Sequence, residues 1–151
     1  MALAKRTARV LIGSTIAGLA YGAWRAPAGR VAKAAPLLSK MRAALPFIPA
    51  SDEKAVRLNG AVQTAAGVAL ITGVAPRLAS TTLVLTLIPT TLAGHAFWKI
   101  KDPAARRAQR MQFQKNAAII GGLILSAEAP ARRRRRRKRS AKVRGELRGR
   151  R

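Results

Sequence analysis

The chain has 151 residues, 49% of them hydrophobic, with 30 Lys and Arg against five acids and a formal net charge of +25. It contains no cysteine, which excludes disulfides, thiolate nucleophiles and cysteine-held zinc or iron–sulfur centres. A single histidine and five acids leave no self-contained metal site.

The charges are segregated rather than mixed into each helix. Val10–Trp24, Leu58–Ala75 and Leu78–Trp98 contain no Asp, Glu, Lys or Arg, and the basic residues crowd the gaps and the C-terminus. A helix needs about 20 mostly apolar residues to cross a bilayer core of about 30 Å. This patterning predicts four helices, at about 6–24, 52–75, 77–98 and 103–128.

In the first, Lys5, Arg6 and Arg9 precede Val10–Trp24, a pattern shared by a retained membrane helix and a cleaved signal peptide. A retained helix is expected. Pro27, Pro36, Pro46 and Pro49 then break Ala26–Ala50. Within it, "PLLSKMRAALP" places Leu37, Leu38, Met41 and Leu45 near one side, as in a short interfacial helix or an ordinary loop.

Ser51, followed by Asp52 and Glu53, is a helix N-cap with acids in the first turn. Pro76 ends the second predicted helix and opens the third, so the two are antiparallel neighbours. Pro89 lies inside the third, where Thr90 and Thr91 are expected to relieve the freed backbone. Asp102 and Pro103 start the fourth, whose strictly apolar part, Ala117–Ala127, is too short to span alone.

Small residues recur every fourth position: Ser14, Gly18 and Gly22; Ala61, Ala65, Ala69 and Gly73; Thr82, Thr86, Thr90 and Gly94; Ala118, Gly122 and Ser126. In lipid such stripes permit close helix packing. In an alanine-rich chain they also arise by chance.

The stretches "RLNGAVQTAAGVALITGVAPRLAS", "PTTLAGHAFWKIKDP" and "QFQKNAAIIGGLIL" carry the patterns N-G-x-x-Q, T-x-x-G-H-x-F-W and K-N-x-A-x-x-G-G. In combination they resemble the DoxX family of small membrane proteins, across roughly residues 5–128. The resemblance implies an all-α fold, a transmembrane antiparallel four-helix bundle at 1–130. It also implies a multi-pass place in a bacterial plasma membrane and an association with membrane redox, sulfur or oxidative-stress systems. It predicts fold and location better than chemistry.

In that topology Asn59, Gln63, His95, Lys115 and Asn116 share one leaflet with Gln112. They are the expected members of an intramembrane polar pocket for an anion or a quinone headgroup, with His95 as a proton relay. Inter-helix hydrogen bonding without a ligand is the competing role, and Lys115 can instead snorkel to the headgroups. Tyr21, Trp24, Phe47, Phe97, Trp98 and Phe113 gather at the same face.

No Ser/His/Asp set, carboxylate pair or phosphate-binding Gly loop is present. At most the chain is a subunit of an oxidoreductase complex. No intrinsic cofactor is evident, and a quinone is the candidate ligand of the pocket.

Residues 131–151, "ARRRRRRKRSAKVRGELRGRR", form a block of like charge expected to be disordered. Arg132, Arg133, Arg134, Arg135, Arg136, Arg137, Lys138 and Arg139 are the expected contacts to anionic lipid. Nucleic acid is the less favoured partner, since no aromatic interleaves the arginines. A membrane-tethered basic protein acting through this tail is the alternative function.

Lys5, Arg6, Arg9, Arg77 and the tail lie on one predicted side; Arg25, Arg30, Lys33, Lys40, Arg42, Lys54, Arg57, Lys99 and Lys101 lie on the other. The tail decides the balance toward cytoplasmic termini.

Overall fold

The computed structural model describes residues 2–127, and the basic tail expected at 131–151 lies outside them. The fold is all-α. Five helices follow in order: α1 (Ala2–Arg25), α2 (Ala28–Ala44), α3 (Asp52–Thr72), α4 (Pro76–Gly94) and α5 (Pro103–Ala127), with a short 3-10 turn at Phe97–Lys99.

Local chemistry sets most boundaries. Ser51 has extended backbone angles and its side chain accepts from the Lys54 N–H at 3.3 Å, with Asp52 and Glu53 in the first turn of α3. The helix stops at Thr72, three residues short of the expected end, because Gly73 adopts a left-handed conformation, φ 77°. Ala75, also left-handed at φ 42°, then delivers Pro76 to the first turn of α4. Asp102 accepts from the Ala105 N–H at 2.7 Å and so caps α5.

Two boundaries differ more. α1 begins at Ala2 rather than near residue 6, through the basic residues Lys5 and Arg6. α4 ends at Gly94, not Trp98; His95 caps it through its backbone N–H to the Thr91 carbonyl. Phe97 and Trp98 leave the helix to stack edge-to-face with each other and with Phe113, at centroid separations of 5.1, 5.5 and 5.9 Å.

The largest departure is α2. The proline-rich connection is a helix of 17 residues that contains Pro36. Pro27 stands at its N-cap, and Pro46 and Pro49 fall beyond its end, so only one of the four prolines opposes the helix. None of its residues is buried; it packs against α3 and α4. Its far end is fixed by Arg42, which donates to the Pro49 carbonyl and pairs with Asp52.

α1 and α3 approach closely and run antiparallel. A Cβ on Gly13 would stand 2.7 Å from the Gly67 carbonyl oxygen, and one on Gly60 would stand 2.6 Å from the Trp24 nitrogen. The close-packed seam on α1 is Gly13, Ala17, Ala20 and Trp24. The predicted stripe of Ser14, Gly18 and Gly22 misses it: Gly18 has nothing within 4 Å of an added Cβ. Spacing of four, three and four follows a coiled-coil seam; a strict four-residue stripe drifts off it.

The core is small: Ile16, Ala66, Leu70, Ala79, Leu83, Leu87 and Leu123, with Leu70, Leu83 and Leu123 fully buried. Gln63, Ser80 and Thr91 are buried among them. Nineteen large hydrophobic side chains among the described residues point outward, from Leu3 to Leu125. By length and mean hydropathy only Pro76–Lys99 among the described residues qualifies as a membrane span, where four were expected. Charged residues, together with glycine, serine, threonine and amide side chains, lower the hydropathy of the other helices.

Candidate functional site

A cavity of about 700 Å³ opens between α2 and the packed faces of α1, α3, α4 and α5. Its walls are apolar: Ile16 and Leu19 of α1, Leu37, Leu38 and Met41 of α2, Leu85 of α4. Arg30 and Lys33 of α2 stand on its lining, and among the described residues no acid does.

Polar groups gather toward the end where α3 begins and α4 finishes. Asn59 Nδ2 donates to Thr90 Oγ1 at 3.1 Å and Gln63 Nε2 donates to the same oxygen at 3.3 Å. The two amides are four residues apart and share a helix face, as their spacing predicts. Thr90 Oγ1 in turn donates to the Thr86 carbonyl at 2.7 Å. Pro89 leaves the Leu85 carbonyl without its helical N–H, so the expected threonine relief falls one residue away. Thr90 instead serves as the junction between α3 and α4.

Across α4, Asn116 Nδ2 donates to Thr91 Oγ1 at 3.1 Å and so joins α5. His95 Nδ1 lies 2.8 Å from Gln109 Oε1. A carbonyl oxygen only accepts, so Nδ1 carries a proton in this contact.

Asn59, Gln63, His95 and Asn116, predicted together, all line this one cavity, along with Gln112. Lys115 does not. It is exposed and absent from the lining, because α5 turns Asn116 toward α4 and places its neighbour about 100° away. The cations beside the cavity come instead from α2. Thr90, Thr91 and Gln109 were missed as partners. Gln109, Gln112 and Asn116 are spaced three and four apart, a helical face visible in the sequence. The two threonines could have been found as the hydroxyls opposite Asn59 and Asn116 in an antiparallel pairing. Arg132–Arg139 lie outside the described residues.

Groups that accept and donate hydrogen bonds at one end, with apolar walls beyond them, suit a ligand with a polar head and an apolar body. They supply no nucleophile and no acid–base pair. No family model, no curated protein and no solved structure matches the chain.

Proposed function

We propose that the protein is an integral membrane protein in which α1, α3, α4 and α5 form an antiparallel transmembrane four-helix bundle. In this reading α2 lies at the membrane interface and the cavity holds a lipophilic ligand. The observation that carries the reading is the apolar exterior. Nineteen large hydrophobics face outward among the described residues, against five that are buried, Ile16, Leu70, Leu83, Leu87 and Leu123; the buried set also includes four alanines together with Gln63, Ser80 and Thr91. Water disfavours such an exterior, and lipid favours it. Helices in lipid associate through small residues and inter-helix hydrogen bonds, as at the Gly13–Gly67 contact and the Asn59–Thr90 and Asn116–Thr91 pairs. Trp24, Tyr21 and Trp98 are exposed near the polar end of the cavity, where an interface would lie.

Within that membrane the protein acts as a noncatalytic accessory to a redox system. The support is the motif resemblance together with His95, whose imidazole lines a ligand-sized cavity. The test is twofold. After alkaline carbonate extraction the chain stays in the membrane pellet; release into the supernatant overturns the membrane reading. His95→Ala inserts normally and lowers quinone-linked electron transfer in membranes that depend on the chain. Full activity in that variant overturns the redox role of the pocket.

A further inference from the structure

The polar end of the cavity has a hydrogen-bond polarity that selects its ligand. Thr90 fixes it. A hydroxyl has one proton, and the 2.7 Å separation from the Thr86 carbonyl assigns that proton to the carbonyl. The Thr90 oxygen therefore only accepts toward Asn59 and Gln63, which forces both amides to present nitrogen to it. Their carbonyl oxygens, Asn59 Oδ1 and Gln63 Oε1, are left with no partner among the described residues.

Gln63 is 5% exposed, yet its carbonyl oxygen is not among the enclosed unpartnered atoms. That oxygen therefore reaches open space, and Gln63 lines the cavity. Asn116 spends its nitrogen on Thr91. Three acceptors result: Asn59 Oδ1, Gln63 Oε1 and Asn116 Oδ1. A ligand head that only accepts, such as an ether or a carbonyl, leaves these acceptors unpaired, and an unpaired buried acceptor is costly. An ammonium head would supply donors, but Arg30 and Lys33 line the same cavity without a carboxylate beside them.

We infer that the cavity binds an amphiphile whose head carries hydroxyl groups, with its apolar body along Ile16, Leu19, Leu37 and Leu85. The inference deepens the lipophilic-ligand reading of the cavity and is independent of the redox link. Two sources share this chemistry, a glycerol-headed lipid and a hydroquinone.

The experiment uses the full chain purified in detergent micelles and two matched probe pairs. One pair is 1-O-decylglycerol and its di-O-methyl ether; the other is decylubiquinol and decylubiquinone. Binding is read by calorimetry. In at least one pair the hydroxylated member binds about tenfold tighter or more, as expected where a site built for a hydroxyl meets an analogue lacking it. The pair that discriminates identifies the source.

Thr90→Val removes the acceptor that orients both amides, and the preference falls toward unity with helix content unchanged. Gln63→Met, of similar shape, removes one acceptor and lowers the preference as well, so the idea stays testable if either variant fails to fold. Equal or tighter binding of the ether and the quinone overturns the inference, as does a full preference in a folded Thr90→Val or Gln63→Met protein. Absence of binding by all four probes overturns it too, while a detergent-dependent fold leaves the membrane reading standing. A chain that stays monodisperse and folded in plain buffer sinks the membrane reading instead, and the same probe pairs are then compared in buffer.

Discussion

Glycines that look alike in the sequence differ sharply in what surrounds them. A Cβ on Gly60 would meet the Trp24 nitrogen at 2.6 Å and the Ala20 carbonyl oxygen at 3.0 Å, both backbone atoms that cannot turn aside. Gly60→Ala therefore pushes α1 away from α3, with an expected loss of about 1–3 kcal/mol. Gly18→Ala meets nothing within 4 Å and should be neutral or stabilising by about 0.5–1 kcal/mol. Thermal unfolding in detergent, followed by circular dichroism, compares them; equal midpoints would refute the close α1–α3 seam. At the α3–α4 turn Ala75 holds a left-handed φ of 42°, so Ala75→Gly should raise stability by about 1 kcal/mol in the same assay.

At the scale of elements, α2 is tied at both ends and packs between them against α3 and α4. It follows α1 after only Ala26 and Pro27, and Arg42 ties its last turn to Pro49 and Asp52. Both partners of the Arg42–Asp52 pair are about one-quarter exposed, at 25% and 29%, so its contribution is modest, about 1 kcal/mol. Arg42→Ala should speed amide hydrogen exchange across the C-terminal half of α2 by about fivefold while leaving α1 and α3 protected. Unchanged exchange in α2 would show that its apolar contacts at the cavity, from Leu37, Leu38 and Met41, suffice to hold it. The prolines of this segment suggested a broken connection. Only Pro36 lies inside the helix, so counting prolines overstated the breaks, and their positions relative to the helix ends mattered more.

Among the described residues nineteen large apolar side chains face outward around a small core, and the molecule's predicted behaviour on the membrane reading follows from that surface. It should need detergent to remain monodisperse; light scattering after detergent removal checks this. A fusion at the C-terminus reports orientation: a fluorescent protein should fluoresce there and alkaline phosphatase should be inactive, whereas active phosphatase would reverse the proposed cytoplasmic placement of the termini. Deleting residues 132–151 separates the two functional readings. The cavity reading expects little loss of membrane redox activity, and the tail-recruitment alternative expects complete loss.

The sequence by itself determined where α3, α4 and α5 begin, because capping and proline chemistry act within a few residues of Ser51, Pro76 and Asp102. It also indicated that Asn59, Gln63, His95 and Asn116 belong at one end, since antiparallel helices of similar length bring such positions level. Only the tertiary structure decided which α1 face meets α3, that α2 closes the cavity, that Lys115 stays outside it, and that Thr90 orients two amides. Those outcomes depend on helix rotation and on partners 25 to 31 residues away along the chain. A rotation of about 100° per residue moves a side chain from cavity to exterior without changing any local signal.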